Sequence, residues 1–265
     1  MAAVAARPLV MGVLNVTPDS FSDGGRWADP AAAITRGLAM VAEGADVVDV
    51  GGESSRPGAE AVTAAEELRR VVPVVEALAP EVRVSVDTVK PEVARAAVAA
   101  GATMINDISA ALAGVAAELG VAWIAMHMQG DPRTMQVDPR YDDVVEEVVR
   151  FLEHRARAAA SAGVPEIWLD PGIGFGKTVA HNLSLLRHLD RLVALGWPVV
   201  VGTSRKSTLG RLLADSDGAD EPVPVDDRLE GSVATAAWAF AAGAAMVRAH
   251  DVLPTVQAAL VVGRS

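Results

Sequence analysis

The chain has no cysteine among its 265 residues. That excludes disulfides and any thiolate metal centre, and it fits a reducing compartment. Positive charge is in deficit: 23 Lys and Arg stand against 34 Asp and Glu, a formal net charge of −11. Such a balance argues against bulk nucleic-acid binding, although a small anionic ligand responds to a local field and is not excluded. No apolar run approaches the roughly 18 residues of a membrane span. The opening MAAVAARPLV has no charged region followed by a long apolar core, so no signal peptide is expected and the expected location is cytoplasmic. Aromatics are scarce at 4%, and Trp27, Trp123, Trp168, Trp197 and Trp238 are too scattered to suggest a role. Ala, Val, Leu and Gly fill the gap.

What is present is a large supply of core. At 51% hydrophobic content the chain can bury a sizeable interior, in one barrel-type domain or two smaller ones. Short apolar runs recur: Leu9–Leu14, Val47–Val50, Val82–Val86, Met104–Ile105, Val121–Met126, Ile167–Leu169, Pro198–Val201 and Met246–Arg248. They are continuous rather than alternating, which marks strands buried on both faces of a parallel sheet. Between them lie stretches with helical spacing: Pro30–Glu43, Thr63–Leu78, Pro91–Ala100, Leu112–Leu119, Tyr141–Ala162, Ala180–Leu195, Thr208–Leu213, Arg228–Ala242 and Val252–Val262. Thr63 and Glu66 have capping-box spacing, and Pro91 and Gly101 bracket a helix. Eight strand-then-helix units over about 250 residues predict an α/β fold, a single (β/α)8 TIM barrel spanning residues 1–265. An open, doubly wound sheet is the alternative. No long linker or low-complexity segment divides the chain, and the acidic loop Asp215–Asp227 is the best candidate for flexibility.

The stretch IWLDPGIGFGK, Ile167–Lys177, shows how the units end. A buried strand stops at Asp170 and a glycine-rich turn follows, where backbone can approach a ligand. An ordinary capping Asp would look the same in isolation. Other strands also end in polar residues: Asn15, Ser55 and Arg56, Asp87, Asn106, His127, Lys206, and Arg248 with His250. Singly these are helix caps, turn formers such as Asn106 and Asp107, or solvated loop charges. In a TIM barrel they would share the rim that carries the active site.

Their chemistry falls into two groups. Asp87, Asn106 and Asp170 supply acceptors suited to a heterocycle with several N–H donors. Ser55, Arg56, Arg248 and His250 supply donors suited to a phosphate or diphosphate. The predicted helix Thr208–Leu213 occupies the place of the extra helix that favours an anion in this fold, with Lys206 at its start. Asn15, a neutral oxygen ligand, suits Mg²⁺ bridging to a diphosphate. His127 reads as a structural or gating residue near the mouth, because no second His lies at ligand spacing. His154, His181 and His188 read as helix-surface residues, and Met126, Met128 and Met135 as pocket lining or loop packing.

Taken together, the motifs resemble the dihydropteroate synthase family, the folate-pathway enzymes inhibited by sulfonamides. The matching pieces are MGVLNVTPDSFSDGG, GGESSRPGA, SVDTVKPEVA, INDIS, MHMQGDPRTMQ, LDPGIGFGKT, GTSRKS and RAHDV, running nearly end to end in family order. The resemblance implies a transferase that condenses 6-hydroxymethyl-7,8-dihydropterin diphosphate with 4-aminobenzoate, giving 7,8-dihydropteroate and pyrophosphate. It implies Asn15 as the Mg²⁺ ligand. Ser55, Arg248 and His250, with Arg56 beside them, would bind the diphosphate. Asp87, Asn106, Asp170 and Lys206 would hold the pterin. Phe175 and Arg205 would line the aminobenzoate pocket, and Ser207 would receive its carboxylate. Asp87, Lys206, Arg248 and His250 would carry the catalytic roles. Pyrophosphate would leave first and the amine would then attack the cationic methylene, with no covalent enzyme intermediate. Loops Asn15–Gly25 and Ser54–Ala59 would close over the site. A homodimer through helices on the barrel's far side is also implied, with neither nucleic acid nor membrane as partner.

The chain departs from the family pattern in details. Ser55 stands where many members carry Thr, the segment from Ile105 to His127 is several residues short, and Asp131 varies QGDPRTMQ. A pterin-binding methyltransferase domain would share the barrel and the acidic pocket, but it would not need the SRK and RAH donors. An inactive paralogue should have lost Lys206, Arg248 or Asn15, and all three are present.

Overall fold

A computed structural model of the chain describes residues 7–17, 30–54, 61–132 and 134–263. Eight parallel strands alternate with helices. They are β1 (Leu9–Asn15), β2 (Val47–Gly51), β3 (Arg83–Asp87), β4 (Met104–Asp107), β5 (Ala122–Met126), β6 (Ile167–Asp170), β7 (Val200–Val201) and β8 (Met246–Ala249). The sheet runs in the order β6-β5-β4-β3-β2-β1-β8-β7. A parallel bridge from Leu169 to Val199 brings β6 against the β7 segment and closes the ring. The expected TIM barrel is therefore present, and the open-sheet alternative fails because the two outer strands meet.

Period-2 alternation splits each strand between two interiors. Val10, Leu14, Val48, Val50, Val84, Val86 and Ile105 point outward into the large core beneath the helices. Met11, Val47, Met104, Ala122, Ile124, Trp168, Val200 and Met246 fill the barrel itself. Near the strand starts, Arg83 pairs with Glu166 at 2.7 Å, and the Trp168 indole donates to the same carboxylate at 2.6 Å. Apolar side chains and this ion pair thus fill the lower lumen, and polar side chains are left for the upper part of the strands.

The helices are α1 (Pro30–Ala42), α2 (Ala64–Leu78), α3 (Pro91–Ala99), α4 (Ala113–Leu119), α5 (Val144–Ser161), α6 (Val179–Arg187), α7 (Leu189–Val193), α8 (Ser207–Asp217), α9 (Leu229–Ala241) and α10 (Val252–Val262). Their starts follow local chemistry. Thr63 caps α2 by accepting from Glu66 N, and Asp143 caps α5 by accepting from Val145 and Glu146 N. Only half of the expected Thr63–Glu66 box forms, because the Glu66 carboxylate turns to Arg69 and Arg70. A reciprocal box forms instead between Thr178 and His181 at the start of α6, so His181 has a capping role beyond that of a surface residue.

Several boundaries shift from expectation: α5 starts at Val144 rather than Tyr141 because Asp143 caps it, β7 keeps only Val200–Val201 of Pro198–Val201, and two helices change more. The span Ala180–Leu195 is broken at His188 (φ −114°, ψ 31°), which ends α6 and lets α7 turn Leu189 and Leu192 into the core. The predicted short helix Thr208–Leu213 runs from Ser207 to Asp217 and stops where Gly218 takes a left-handed conformation (φ 68°). Its extension takes in the first residues of the loop expected from Asp215. No helix among the described residues is long and apolar enough to cross a membrane.

Candidate active site

Strand register sets the first row of the site. Asn15 pairs with Gly51, Gly51 with Asp87, and Asp87 with Asn106. The tips of β1 to β4 therefore stand side by side at one level. Gly51 presents no side chain between Asn15 and Asp87; a Cβ there would lie 3.7 Å from Asn15 Oδ1 and 3.4 Å from Asp87 Cβ. Asp170 ends β6, and its Oδ1 accepts from Gly172 N at 2.7 Å.

Arg248 of β8 reaches into this acidic row. Its Nε donates to Asp49 Oδ2 at 2.6 Å and its Nη2 donates to Asp87 Oδ2 at 2.7 Å. Asn106 Nδ2 donates to the same Asp49 oxygen at 2.8 Å. The two chemical groups read from the sequence are thus not separate in space, because Arg248, expected among the anion binders, lies between two carboxylates. Physically this is required: carboxylates this deep need a cation to stay ionised.

Even so, burial raises the Asp87 pKa to about 7. Arg248 opposes the rise, while Asp49, Glu67 and Asp107 add to it. Burial likewise raises Asp170, against the pull of Lys206. Burial would lower Arg248, but Asp49 and Asp87 more than offset it and hold the guanidinium above its usual range.

Lys206 precedes α8, where burial lowers its pKa to about 8 despite Asp170 nearby. Its Nζ lies 4.6 Å from the centre of the Phe175 ring and donates to the Ile173 carbonyl. Phe175 thus stands beside Lys206, as a flat-ring pocket requires. Ser207 is the first residue of α8. Arg205 holds a left-handed backbone (φ 58°) and forms a two-pronged pair with Asp251 at 2.9 and 2.5 Å. Its guanidinium is therefore already engaged at the edge of the site. His250 follows β8, with both its backbone N and its Nδ1 3.1 Å from Ser204 Oγ. Ser55 and Arg56, and most of the two loops expected to close, lie outside the described residues.

A cavity of about 390 Å³ adjoins Asp87, lined by Glu53, Ser54, Glu67, Thr88, Val89, Ile108, Ser109, Met128 and Asp131 among others. That is room for a small heterocycle. Among the described residues no cluster of three or more His, Asp or Glu could cage a metal, so a divalent ion here would depend on an oxygen such as that of Asn15 together with a ligand's own oxygens.

Several residues that build the site carried no clear sequence signal. Asp49 is fully buried inside what reads as an apolar strand; the one clue was a carboxylate interrupting VVDVG. Asp107, read as a turn former, receives Ser109 N and Oγ, Ala111 N, Leu112 N and the Trp123 indole, and so locks the loop after β4. Lys177 is also buried. Its Nζ donates to the carbonyls of Gly172 and Phe175 at 2.9 Å and of His127 at 3.2 Å, and lies 3.0 Å from His127 Nδ1. Burial lowers Lys177 to about 7 and His127 to about 3. His127 is therefore neutral and structural, tying the end of β5 to the glycine loop after β6. Gly172 (φ 67°) must stay glycine, since an added Cβ would run into the His127 carbonyl.

Against known proteins, the pterin binding enzyme family matches residues 11–250. The dihydropteroate synthase of Escherichia coli K12 is 47% identical over 97% of this chain and 91% of its own. The chain belongs to the dihydropteroate synthase family. Solved structures of family members superpose closely. That of the Xanthomonas albilineans dihydropteroate synthase with 4-aminobenzoic acid has a TM-score of 0.88 at 50% identity, covering 96% of this chain and 92% of that one. The same enzyme in complex with 7,8-dihydropteroate has a TM-score of 0.85 at 47% identity, covering 98% and 94%. This dihydropteroate synthase chain is thus a transferase with a pterin-binding barrel.

Proposed function

We infer that the chain joins 6-hydroxymethyl-7,8-dihydropterin diphosphate to 4-aminobenzoate, releasing pyrophosphate and 7,8-dihydropteroate. The observation that carries this reading is the crossing of Asp87, Asn106, Asp170, Lys206 and Arg248 at one barrel mouth, from strands spread across the whole chain.

In this reading the pterin's donor edge lies against Asp87, Asn106 and Asp170, with Lys206 and the Phe175 ring on its flank. The diphosphate extends toward Arg248 and His250, with Ser55 and Arg56 of the second loop completing the donors. The bond from the pterin methylene to the diphosphate oxygen breaks, and its electron pair leaves with pyrophosphate. The methylene becomes electron-poor, and the Asp87 carboxylate stabilises that charge. The amine of 4-aminobenzoate then forms the new C–N bond and loses a proton. Its carboxylate is read as resting near Arg205 and Ser207 at the start of α8, where backbone N–H groups favour an anion.

Asn15 fits a magnesium site. Among the described residues no donor is bonded to its side-chain oxygen, and Gly51, where an added Cβ would lie 3.7 Å from that oxygen, leaves space beside it. A hard ion with one protein oxygen, diphosphate oxygens and waters is the usual arrangement for magnesium. When bound, it would offset charge building on the departing pyrophosphate.

A homodimer is the proposed assembly. It is supported by the exposed Leu253, Leu260 and Val261 of α10 and Trp238 of the adjoining α9. The absence of cysteine supports the cytoplasm as the compartment.

The test is product formation. Purified protein given pterin diphosphate, Mg²⁺ and 4-aminobenzoate should yield 7,8-dihydropteroate by mass spectrometry. Pterin diphosphate consumed without that product, or not consumed at all, overturns the assignment.

A further inference from the structure

Asp49 sits in the middle of β2 with no solvent exposure. One of its oxygens, Oδ2, serves two donors on two other strands: Asn106 Nδ2 of β4 at 2.8 Å and Arg248 Nε of β8 at 2.6 Å. Arg248 then passes the connection to Asp87 of β3. A single buried atom therefore links side chains of β4, β8 and, through the guanidinium, β3.

An ion pair needed only for folding would be complete with Arg248 and Asp87. A second, fully buried carboxylate on the same guanidinium carries a desolvation cost that stability alone does not explain. Among the described residues its other oxygen, Oδ1, has no hydrogen-bond partner, nor does the hydroxyl of Ser85, its register partner on β3. Asp49 is thus held in place by its Oδ2 bonds alone.

The consequence lies in the Asn106 amide, which has one donor end and one acceptor end. A carboxylate only accepts, so Asp49 forces Nδ2 toward itself and leaves Oδ1 of Asn106 to accept from a ligand. The same bond fixes the Arg248 fork at its Nε edge, with Nη2 on Asp87. We propose that Asp49 is a positioning residue for the pterin site: it orients the Asn106 amide as an acceptor and sets the plane of Arg248, so that the mouth selects a ring edge bearing several N–H donors. This rests on the functional reading above, but it concerns binding of the ring alone and is testable without turnover.

Two substitutions separate the roles. Asp49→Val matches the side chain's shape and suits a strand, but it removes the acceptor. Asp49→Asn keeps an acceptor oxygen for both donors and removes the charge. The probe is 6-hydroxymethyl-7,8-dihydropterin without diphosphate, titrated by calorimetry, with thermal denaturation run alongside. The expected result is a roughly 50-fold weaker dissociation constant for D49V and a value within about fivefold of wild type for D49N, the scale of losing or keeping hydrogen bonds to charged groups. The KM for 4-aminobenzoate should stay within about twofold of wild type in both, on the same reasoning. Should D49V fail to fold, Asp49→Ser, whose hydroxyl is too short to bridge both donors, takes its place with the same expectation. D49V, or its substitute, binding the dihydropterin within threefold of wild type overturns the proposal. So does D49N binding as weakly as D49V, which would make the charge and not the acceptor decisive. Wild-type protein that binds no dihydropterin overturns the functional reading instead.

Discussion

Asp87→Asn is the substitution whose effect the geometry specifies most fully. The Asp87 carboxylate is 15% exposed, lies 2.7 Å from Arg248 Nη2, and borders the cavity. A unit negative charge about 4 Å from a developing cation, at an effective dielectric of about 20, is worth about 4 kcal/mol. Losing it should lower kcat by roughly a thousandfold. Binding of the pterin should suffer much less. The amide keeps an acceptor oxygen, so the loss is the difference between a charged and a neutral hydrogen bond, about 1.4 kcal/mol or tenfold in Kd.

The pH dependence supplies a second check. Because burial raises Asp87 to about 7, its carboxylate ionises only as pH climbs through that value. Wild-type kcat/KM should therefore rise with pH across about 6 to 8, since that ratio follows the free enzyme's ionisations, and the D87N profile should lose that limb. The assay is steady-state pyrophosphate release across pH, paired with calorimetry of the dihydropterin. Equal losses in kcat and in affinity, or an acid limb that survives in D87N, would refute the charge-stabilising role.

Three further outcomes are expected. Lys177→Met removes the three bonds from its ammonium to the carbonyls of His127, Gly172 and Phe175, of which Gly172 keeps the Phe175 N–H; at about 1 kcal/mol for each bond the loss is about 3 kcal/mol. That corresponds to a Tm lower by roughly 6–12 °C in thermal denaturation, and a drop below about 2 °C would contradict the clamp. Lys206 is lowered by burial to about 8, so it loses its charge as pH rises through that value. Dihydropterin affinity measured by calorimetry should fall across it, and Lys206→Gln should flatten the dependence. Leu253→Glu with Val261→Glu places charge on two exposed apolar positions of α10, and sedimentation should then report monomer where wild type gives a dimer. An unchanged sedimentation coefficient would move the interface elsewhere.

How much of this was legible from the residues depends on where each side chain points. Asn15, Asp87, Asn106 and Asp170 stood out because each ends an apolar run, and strand ends are where a parallel barrel exposes polar groups. Asp49 sits two residues before a strand end and is hidden by the valines around it, since an apolar run does not say which face of the strand meets the lumen. Lys177 looked like the tail of a glycine motif. Its role depends on carbonyls brought together by the loop's left-handed glycines, which spacing does not encode. Spacing does not show the break at His188, because residues on both sides keep helical apolar periodicity. The merging of Arg248 with the acidic group is likewise tertiary: β8 closes against β1, with Met11 in register with Arg248, and only closure brings the guanidinium over Asp49 and Asp87.

The central claim is that one barrel mouth takes a pterin ring on its acidic side and the ring's diphosphate on its cationic side. The measurement that meets it head-on is a crystal structure of the protein grown with 6-hydroxymethylpterin diphosphate and Mg²⁺. Density for the ring against Asp87, Asn106 and Asp170, with the diphosphate running toward His250 and Asn15, is the predicted result. A ring bound away from those three residues, or a diphosphate pointing away from His250, would contradict it.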